Sequence, residues 1–531
     1  MNKKLAVWVF SLFFVINVLS SGGHLDWSDG VQTFLVAESL VLKHSAKLHP
    51  DIPSASLLYG NNRLTEDKQL NIREPYYTNR SLLLVLISAL FYYMATILSI
   101  SPIFLVGFFV NSLIISLTSL VVFCFSVEIY RSRKISLILG LVFTVCSFIL
   151  AYNTTLFPQP LQAFCIIASA YFLYKSHNIN DSYVSHYHRN EVVNSNNTKN
   201  IAQRKRAYYA ILGGIFLGLS VFVHPASIIV IPGFIAYYLF SLKERRKKQF
   251  ACFIISLAGI LVLVGLSNYI RYGSFTEFGY YRYASWSWAN GGWIGLVGLW
   301  ASPGAGMIFF FPPVILLPIA IRYFYRQSKG LFFLVLYVIT VNWLYFGTLS
   351  YLEPISWSGG LVWGPRYLIP ILPFITIGLG TLLAKLRNRK QRLYLFKVSI
   401  VISLFAIGFV INSLGKVVWI YYFHLYSWEK EQVWRQWRET RTWDPETWNP
   451  WYSPIVLNAK ILSGSYISEI QLERYNGTSY HFVTYGLVPC SYDLYIFCEF
   501  GVIPIIILAA LAILSAYMIV KDRGQNAFLR P

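Results

Sequence analysis

The sequence predicts an all-α polytopic membrane protein of about twelve transmembrane helices, with juxtamembrane helices in a first external loop and a small C-terminal external segment. Three observations carry this. Of 531 residues, 56% are apolar and only 13% charged, too greasy a balance for a soluble domain. Twelve apolar segments recur along the chain, at 5–21, 103–129, 135–152, 158–175, 207–223, 225–242, 250–268, 305–324, 330–350, 367–385, 398–415 and 501–520. The net positive charge falls on one side of the membrane when these segments are threaded alternately.

Starting with Lys3 and Lys4 inside, the N-terminus, the loops 131–134, 175–206, 243–249, 322–329 and 385–397, the tail 521–531 and the adjoining Glu128 become cytoplasmic. They hold 28 Lys plus Arg against 5 Asp plus Glu, and the opposite face holds 16 against 18. Topology therefore accounts for the net charge of +21, which removes the support a high pI would lend to nucleic-acid binding. Both termini come out cytoplasmic in an integral protein of the plasma or cell membrane.

The first segment, headed by Lys3-Lys4, has the look of a signal peptide but is expected to be a retained anchor. After it comes His24-Leu-Asp26-Trp-Ser-Asp29-Gly30, two carboxylates three residues apart where the chain leaves the membrane. Apolar positions Val31, Phe34, Leu35, Val41 and Leu42 then recur at helical spacing. One face of this helix is expected on lipid, with its start presenting acid to water. Asp29 suits an N-cap as well as a catalytic carboxylate.

A further apolar run, Leu82–Ser99, cannot cross without moving Arg131, Arg133 and Lys134 outside. It is therefore placed outside as a second membrane-skimming helix, and residues 22–102 become one external loop. Glu74-Pro75-Tyr76-Tyr77-Thr78-Asn79-Arg80 leads into it. Arg80 is suited to snorkelling at the interface or to an anionic headgroup. His224 stands between two apolar segments with almost no connection, as a cap, a packing group or a ligand.

Other external loops bring Asn268 to Gly273, Ser302-Pro303-Gly304 with Gly306, and Gly364-Pro365-Arg366-Tyr367-Leu368. Glycine lets a backbone approach a ligand closely, and aromatics suit sugar faces as well as bilayer interfaces. Seven of the sixteen tryptophans lie in the external segment 416–500. The domain scheme is thus 1–415 as the transmembrane body, 416–500 as an aromatic-rich external segment, and 501–531 as the last helix with its tail. Cys124, Cys146, Cys165 and Cys252 read as packing residues, while Cys490 and Cys498 are close enough in sequence for a disulfide. External sequons stand at Asn79, Asn153 and Asn476. Apart from Glu128, at the cytoplasmic boundary, the apolar spans carry no acid, which disfavours an ion-coupled carrier.

These motifs, in this order over about residues 1–385, resemble the GT-C superfamily of membrane glycosyltransferases, near its protein O-mannosyltransferase and aminoarabinose transferase branch. The resemblance implies transfer of a sugar from a polyprenyl-phosphate donor, such as a dolichyl phosphate mannose, to a protein, lipid or glycan acceptor on the external face, with inversion. It implies Asp29, with Asp26 beside it, as the catalytic acid–base group. It implies Arg80, with His224 and Arg366 as weaker candidates, at the carrier phosphate, and Tyr76, Tyr77, Asn268, Arg271 and Tyr367 as substrate contacts. No nucleotide is needed, and no Walker-type loop is present. No cofactor is assigned, although members often carry acids suited to a divalent metal ion. This chain has Gln159, within Pro158-Gln159-Pro160, and Asn79 at two such positions. Those departures keep a catalytically silent scaffold in view, alongside a carrier or flippase for lipid-linked sugars.

Overall fold

The structure is a computed structural model and describes residues 3–22, 25, 27–55, 75–153, 155–179, 195–240, 247–279, 284–286, 292–351, 356–360, 362–386, 393–418, 445–463 and 502–521. Asp26, the Cys490–Cys498 pair, Asn476 and most of the segment 416–500 lie outside the described residues.

The helices are α1 (Lys3–Leu19), α2 (Trp27–Lys43), α3 (Leu82–Ile97), α4 (Pro102–Tyr130), α5 (Arg133–Val145), α6 (Gln159–Asn178), α7 (Ser195–Val223) and α8 (Ile231–Phe240). They are followed by α9 (Lys247–Tyr272), α10 (Gly292–Ala301), α11 (Leu317–Gln327), α12 (Lys329–Gly347), α13 (Leu372–Leu386), α14 (Tyr394–Val417), α15 (Pro454–Leu462) and α16 (Val502–Lys521). The strands β1 (Ala284–Trp286) and β2 (Leu349–Tyr351) pair antiparallel, with Ser285 opposite Ser350. Six of the described helical segments are long and apolar enough to cross a membrane: α4, Asn200–Val223 of α7, α9, α12, Arg366–Leu386 and α14.

Local chemistry explains several ends. Ser81 caps α3 by accepting from Leu84 N, and Ser132 caps α5 by accepting from Ile135 N. Pro102 opens α4, and Arg131 closes it in the left-handed region at φ 50°. The expected segment 305–324 is broken where Pro312 and Pro313, which lack N–H donors, impose a 3-10 turn at Pro312–Leu316. The segment 135–152 likewise ends as a 3-10 turn, Phe148–Asn153.

In the body, α7 packs between α6 and α9, while α13 packs on α11 and α5. The helix α1 packs against α4 and α16, and its Asn17 Nδ2 donates to Ser116 Oγ at 3.1 Å. Asn153 is fully buried, its amide donating to Asn17 O at 3.0 Å and to Ser20 Oγ at 2.8 Å. The side chain at this sequon position is therefore enclosed by the fold.

A second correction concerns α2. Val31, Phe34 and Leu35 lie not on lipid but in a core with Leu84 and Val85 of α3, Val106, Val110 and Ile114 of α4, and Leu156 and Leu161. Of the five positions, Leu42 alone is exposed. The physical reason is that α3 supplies a competing apolar surface. The outward face of α3 remains apolar, with Leu86, Leu90, Tyr93, Met94 and Ile97 exposed.

Buried between α2 and α3 is Glu38, whose Oε1 accepts from Tyr92 Oη at 3.1 Å and from Ser54 Oγ at 3.0 Å. Burial raises its pKa above the ordinary carboxylate value, outweighing the hydrogen bonds from Ser54 and Tyr92. The folded state thus holds the proton more tightly than the unfolded chain. Stability from this group is full below the unfolded value and declines as pH rises through the folded one. We expect Glu38→Gln to flatten the dependence of melting temperature on pH above the ordinary carboxylate value, measured on the protein in lipid nanodiscs.

Candidate functional site

Asp29 lies in the first turn of α2, so it is a helical residue and not the N-cap that its position in the sequence suggests. Its carboxylate instead joins two distant cations. Asp29 Oδ1 is 2.7 Å from Arg80 Nη1, and Asp29 Oδ2 is 3.4 Å from Arg366 Nη1. All three side chains are partly exposed, Asp29 at 29%, Arg80 at 19% and Arg366 at 13%, so the cluster sits at a solvent boundary. Gln32, one turn along α2, accepts from Arg80 Nε at 2.8 Å and fixes the plane of that guanidinium. A Cβ added at Gly30 would lie 3.3 Å from Leu156 N, which shows how closely the turn before α6 approaches α2.

Arg366 opens the 3-10 turn Arg366–Ile371, which leads directly into α13. Its guanidinium lies over the Phe157 ring at 4.4 Å and over the Tyr367 ring at 5.1 Å. Its Nε is buried without a hydrogen-bond partner. The loop that delivers it is pinned from three sides. Tyr152 Oη donates to Trp363 O at 3.0 Å, and Trp363 Nε1 donates to Asn412 Oδ1 at 3.2 Å. Gly364, at φ +70°, leaves room for Phe310, whose Cγ would lie 3.0 Å from an added Cβ.

Asn412 is fully buried in α14. Its Nδ2 donates to Cys146 O, Phe310 O and Gly408 O at 3.0, 2.9 and 2.7 Å. Sequence reasoning missed this residue by searching the spans for acids alone. The one Asn in this 24-residue helix, set in an apolar stretch whose other polar residues are serines and a lysine near each end, was the available signal.

His224 caps the following 3-10 turn, its Nδ1 accepting from Ala226 N at 3.3 Å. Burial, and then the charge of Arg366, push its pKa down to about 4.

The expected substrate contacts each have partners within the protein. Tyr76 pairs with Leu48 through both backbone hydrogen bonds, and Tyr77 lies beneath Lys47 at 5.3 Å. Asn268 is buried and donates to Phe275 O at 3.4 Å, closing the turn after α9. Arg271 binds the carbonyls of Thr78 and Arg80. Tyr367 alone remains at the cluster, accepting from Arg366 Nη2 at 3.5 Å and stacking on Phe346 at 4.5 Å.

Among the described residues no group of three or more His, Cys, Asp or Glu gathers to hold a metal ion. Both oxygens of the Asp29 carboxylate face guanidinium cations. Among the described residues the cluster sets one negative charge against two positive ones, a balance that suits an anion.

The cluster also has a definite polarity. The helices α6 and α13 both begin beside it and run to Lys175 and Lys385 at their far ends. Lys175 Nζ meets Glu128 Oε1 there at 3.5 Å, beside Arg131. The site and these basic residues thus occupy opposite ends of the helix array.

No family model and no curated protein sequence matches the chain. Among solved structures it is similar to an Archaeoglobus fulgidus oligosaccharyltransferase tethered to an acceptor peptide containing the NVT sequon, with TM-score 0.47 and 12% identity over 83% of this chain. It is also similar to the oligosaccharyltransferase AglB of the same organism in complex with an inhibitory peptide and a dolichol-phosphate, with TM-score 0.46 and 11% identity over 82% of this chain. The match spans 59% and 60% of those two chains.

Proposed function

We propose that the protein is a membrane glycosyltransferase that moves a sugar from a polyprenyl-phosphate-linked donor to a hydroxyl acceptor at the external face, with inversion. The single observation that carries this is the Asp29 carboxylate held between Arg80 and Arg366, at the end of the array remote from Lys175 and Lys385. The order of motifs in the sequence supports it independently.

In this mechanism the acceptor oxygen attacks the anomeric carbon and gives its proton to Asp29. The bond from that carbon to the phosphate oxygen breaks, and the lipid phosphate departs with the electron pair. A single displacement inverts the configuration. The leaving group is already a good one, so the protein's task is to orient a base and to compensate charge. Arg80 and Arg366 present N–H donors to that phosphate, and Arg366 Nε is buried without a protein partner. A phosphate that draws on these guanidinium groups loosens their hold on Asp29, which frees a carboxylate oxygen for the acceptor proton.

The test is to incubate the purified protein in lipid with labelled polyprenyl-phosphate sugars and candidate acceptors. A glycosylated product is expected. Movement of the label between leaflets without a new glycosidic bond would identify a carrier instead. Arg80→Ala should raise the donor KM by roughly 10- to 100-fold, the loss associated with one charge-assisted contact, while the protein stays folded. An unchanged KM would remove Arg80 from the donor site.

A further inference from the structure

We propose that Arg271 and Tyr272 are positioning residues that hold the 78–80 turn, and through it set the reach of Arg80 toward Asp29. The ligand-binding consequence rests on the function proposed above; the clamp itself does not.

Both residues end α9, nearly two hundred positions from the turn in sequence. The Arg271 Nη2 group donates to Thr78 O and, at 3.1 Å, to Arg80 O, so one guanidinium gathers the carbonyls on either side of Asn79. Tyr272 Oη donates to Thr78 O at 2.7 Å. The Arg271 guanidinium lies over the Tyr272 ring at 4.8 Å, which keeps the two groups in register.

The turn is held from a second side as well. Gly279, at φ +76°, packs so closely that an added Cβ would lie 3.1 Å from Asn79 Cβ and 3.0 Å from Tyr272 Oη. Gly279 N in turn donates to Glu277 Oε1 at 2.6 Å, which fixes the loop that carries it. Within the turn, Arg80 N donates to Thr78 Oγ1 at 3.4 Å, and Ser81 then caps α3.

Arg80 is therefore flanked by fixed points. Its backbone is gripped by α9, its Nε is bound to Gln32, and its Nη1 is bound to Asp29. A guanidinium placed this way acts on the site through geometry. Carbonyls that converge on a fork of N–H donors suit arginine better than lysine, whose ammonium is a flexible point charge.

The experiment uses the full-length protein in lipid nanodiscs, with undecaprenyl phosphate as the probe. Arg271→Met should increase amide hydrogen exchange at residues 79–82 by about tenfold or more and weaken undecaprenyl phosphate binding by about tenfold. In an Arg80→Ala background the same change should cost less than about twofold further, because the group it acts through is gone. Tyr272→Phe keeps the ring and loses one hydrogen bond, so its effect on exchange should be smaller but in the same direction. Additive losses in the double variant would show that Arg271 touches the ligand directly and would overturn the proposal, as would unchanged exchange. A wild-type protein that fails to bind undecaprenyl phosphate would overturn the proposed function, while the exchange measurement, which needs no ligand, would still decide the clamp.

Discussion

Asp29→Asn should lower kcat for sugar transfer by roughly 10²- to 10⁴-fold, the range associated with loss of a general base, with the donor KM changed far less. The substitution keeps the size of the side chain and its amide oxygen, so Arg80 retains a neutral acceptor at the position now 2.7 Å away. What disappears is the basic oxygen that takes the acceptor proton. Some stability is lost too, because Arg80 and Arg366 then face each other without the carboxylate between them. For a pair this exposed that cost is about 1 kcal/mol, too small to unfold the chain. A kinetic comparison with Asp29→Glu separates the two effects, since Glu restores the base but displaces it. Wild-type turnover in Asp29→Asn would eliminate Asp29 as the base.

The second large effect is expected at Asn412. Asn412→Leu removes a donor shared among Cys146 O, Phe310 O and Gly408 O, and strands the Trp363 indole N–H in a fully buried position. Interhelical hydrogen bonds in bilayers average about 0.6 kcal/mol because the unfolded state also finds partners. Four such contacts therefore suggest about 2 kcal/mol, and the desolvation cost of unsatisfied groups takes the total toward about 4 kcal/mol. The branched side chain must also fit where an amide lay flat, close to Gly408 and Gly415. Because Trp363 leads into Gly364 and Arg366, lost stability should be accompanied by weaker donor binding. Thermal unfolding and undecaprenyl phosphate titration, measured on the same nanodisc sample, check both. A melting temperature within a degree of wild type would show that the network contributes little.

The two arginines illustrate how the site was and was not legible. Arg80 drew attention because it stands immediately before an apolar helix, and its guanidinium binds Asp29 and Gln32 of α2. Arg366, a weaker candidate from its position, proves equally central, because the turn before α13 folds against Phe157 and brings it to Asp29. Asp29 looked equally suited to capping, since caps and catalytic acids favour the same residue types near a helix start. The observed start of α2 at Trp27 removes Asp29 from the N-cap position. Tyr76, Tyr77, Asn268 and Arg271 shared the motif order that suggested substrate contact, and in the structure Tyr76 pairs with the Leu48 backbone, Tyr77 lies beneath Lys47, Asn268 donates to Phe275 O and Arg271 to the carbonyls of Thr78 and Arg80. A motif marks which residues matter together but does not specify which of them face the ligand.

By itself the sequence determined that the chain is a helical membrane protein, and it located the apolar runs and the clusters of basic residues between them. Those properties are sums over local composition, set by the cost of placing polar groups in hydrocarbon. The tertiary structure decided that α2 turns its apolar face inward, that the Asn153 side chain is buried, that His224 caps the turn after it, and that one carboxylate is shared by guanidinium groups from positions 80 and 366. Each of these depends on which distant surface wins the competition for a side chain, and that is settled by packing between segments hundreds of residues apart.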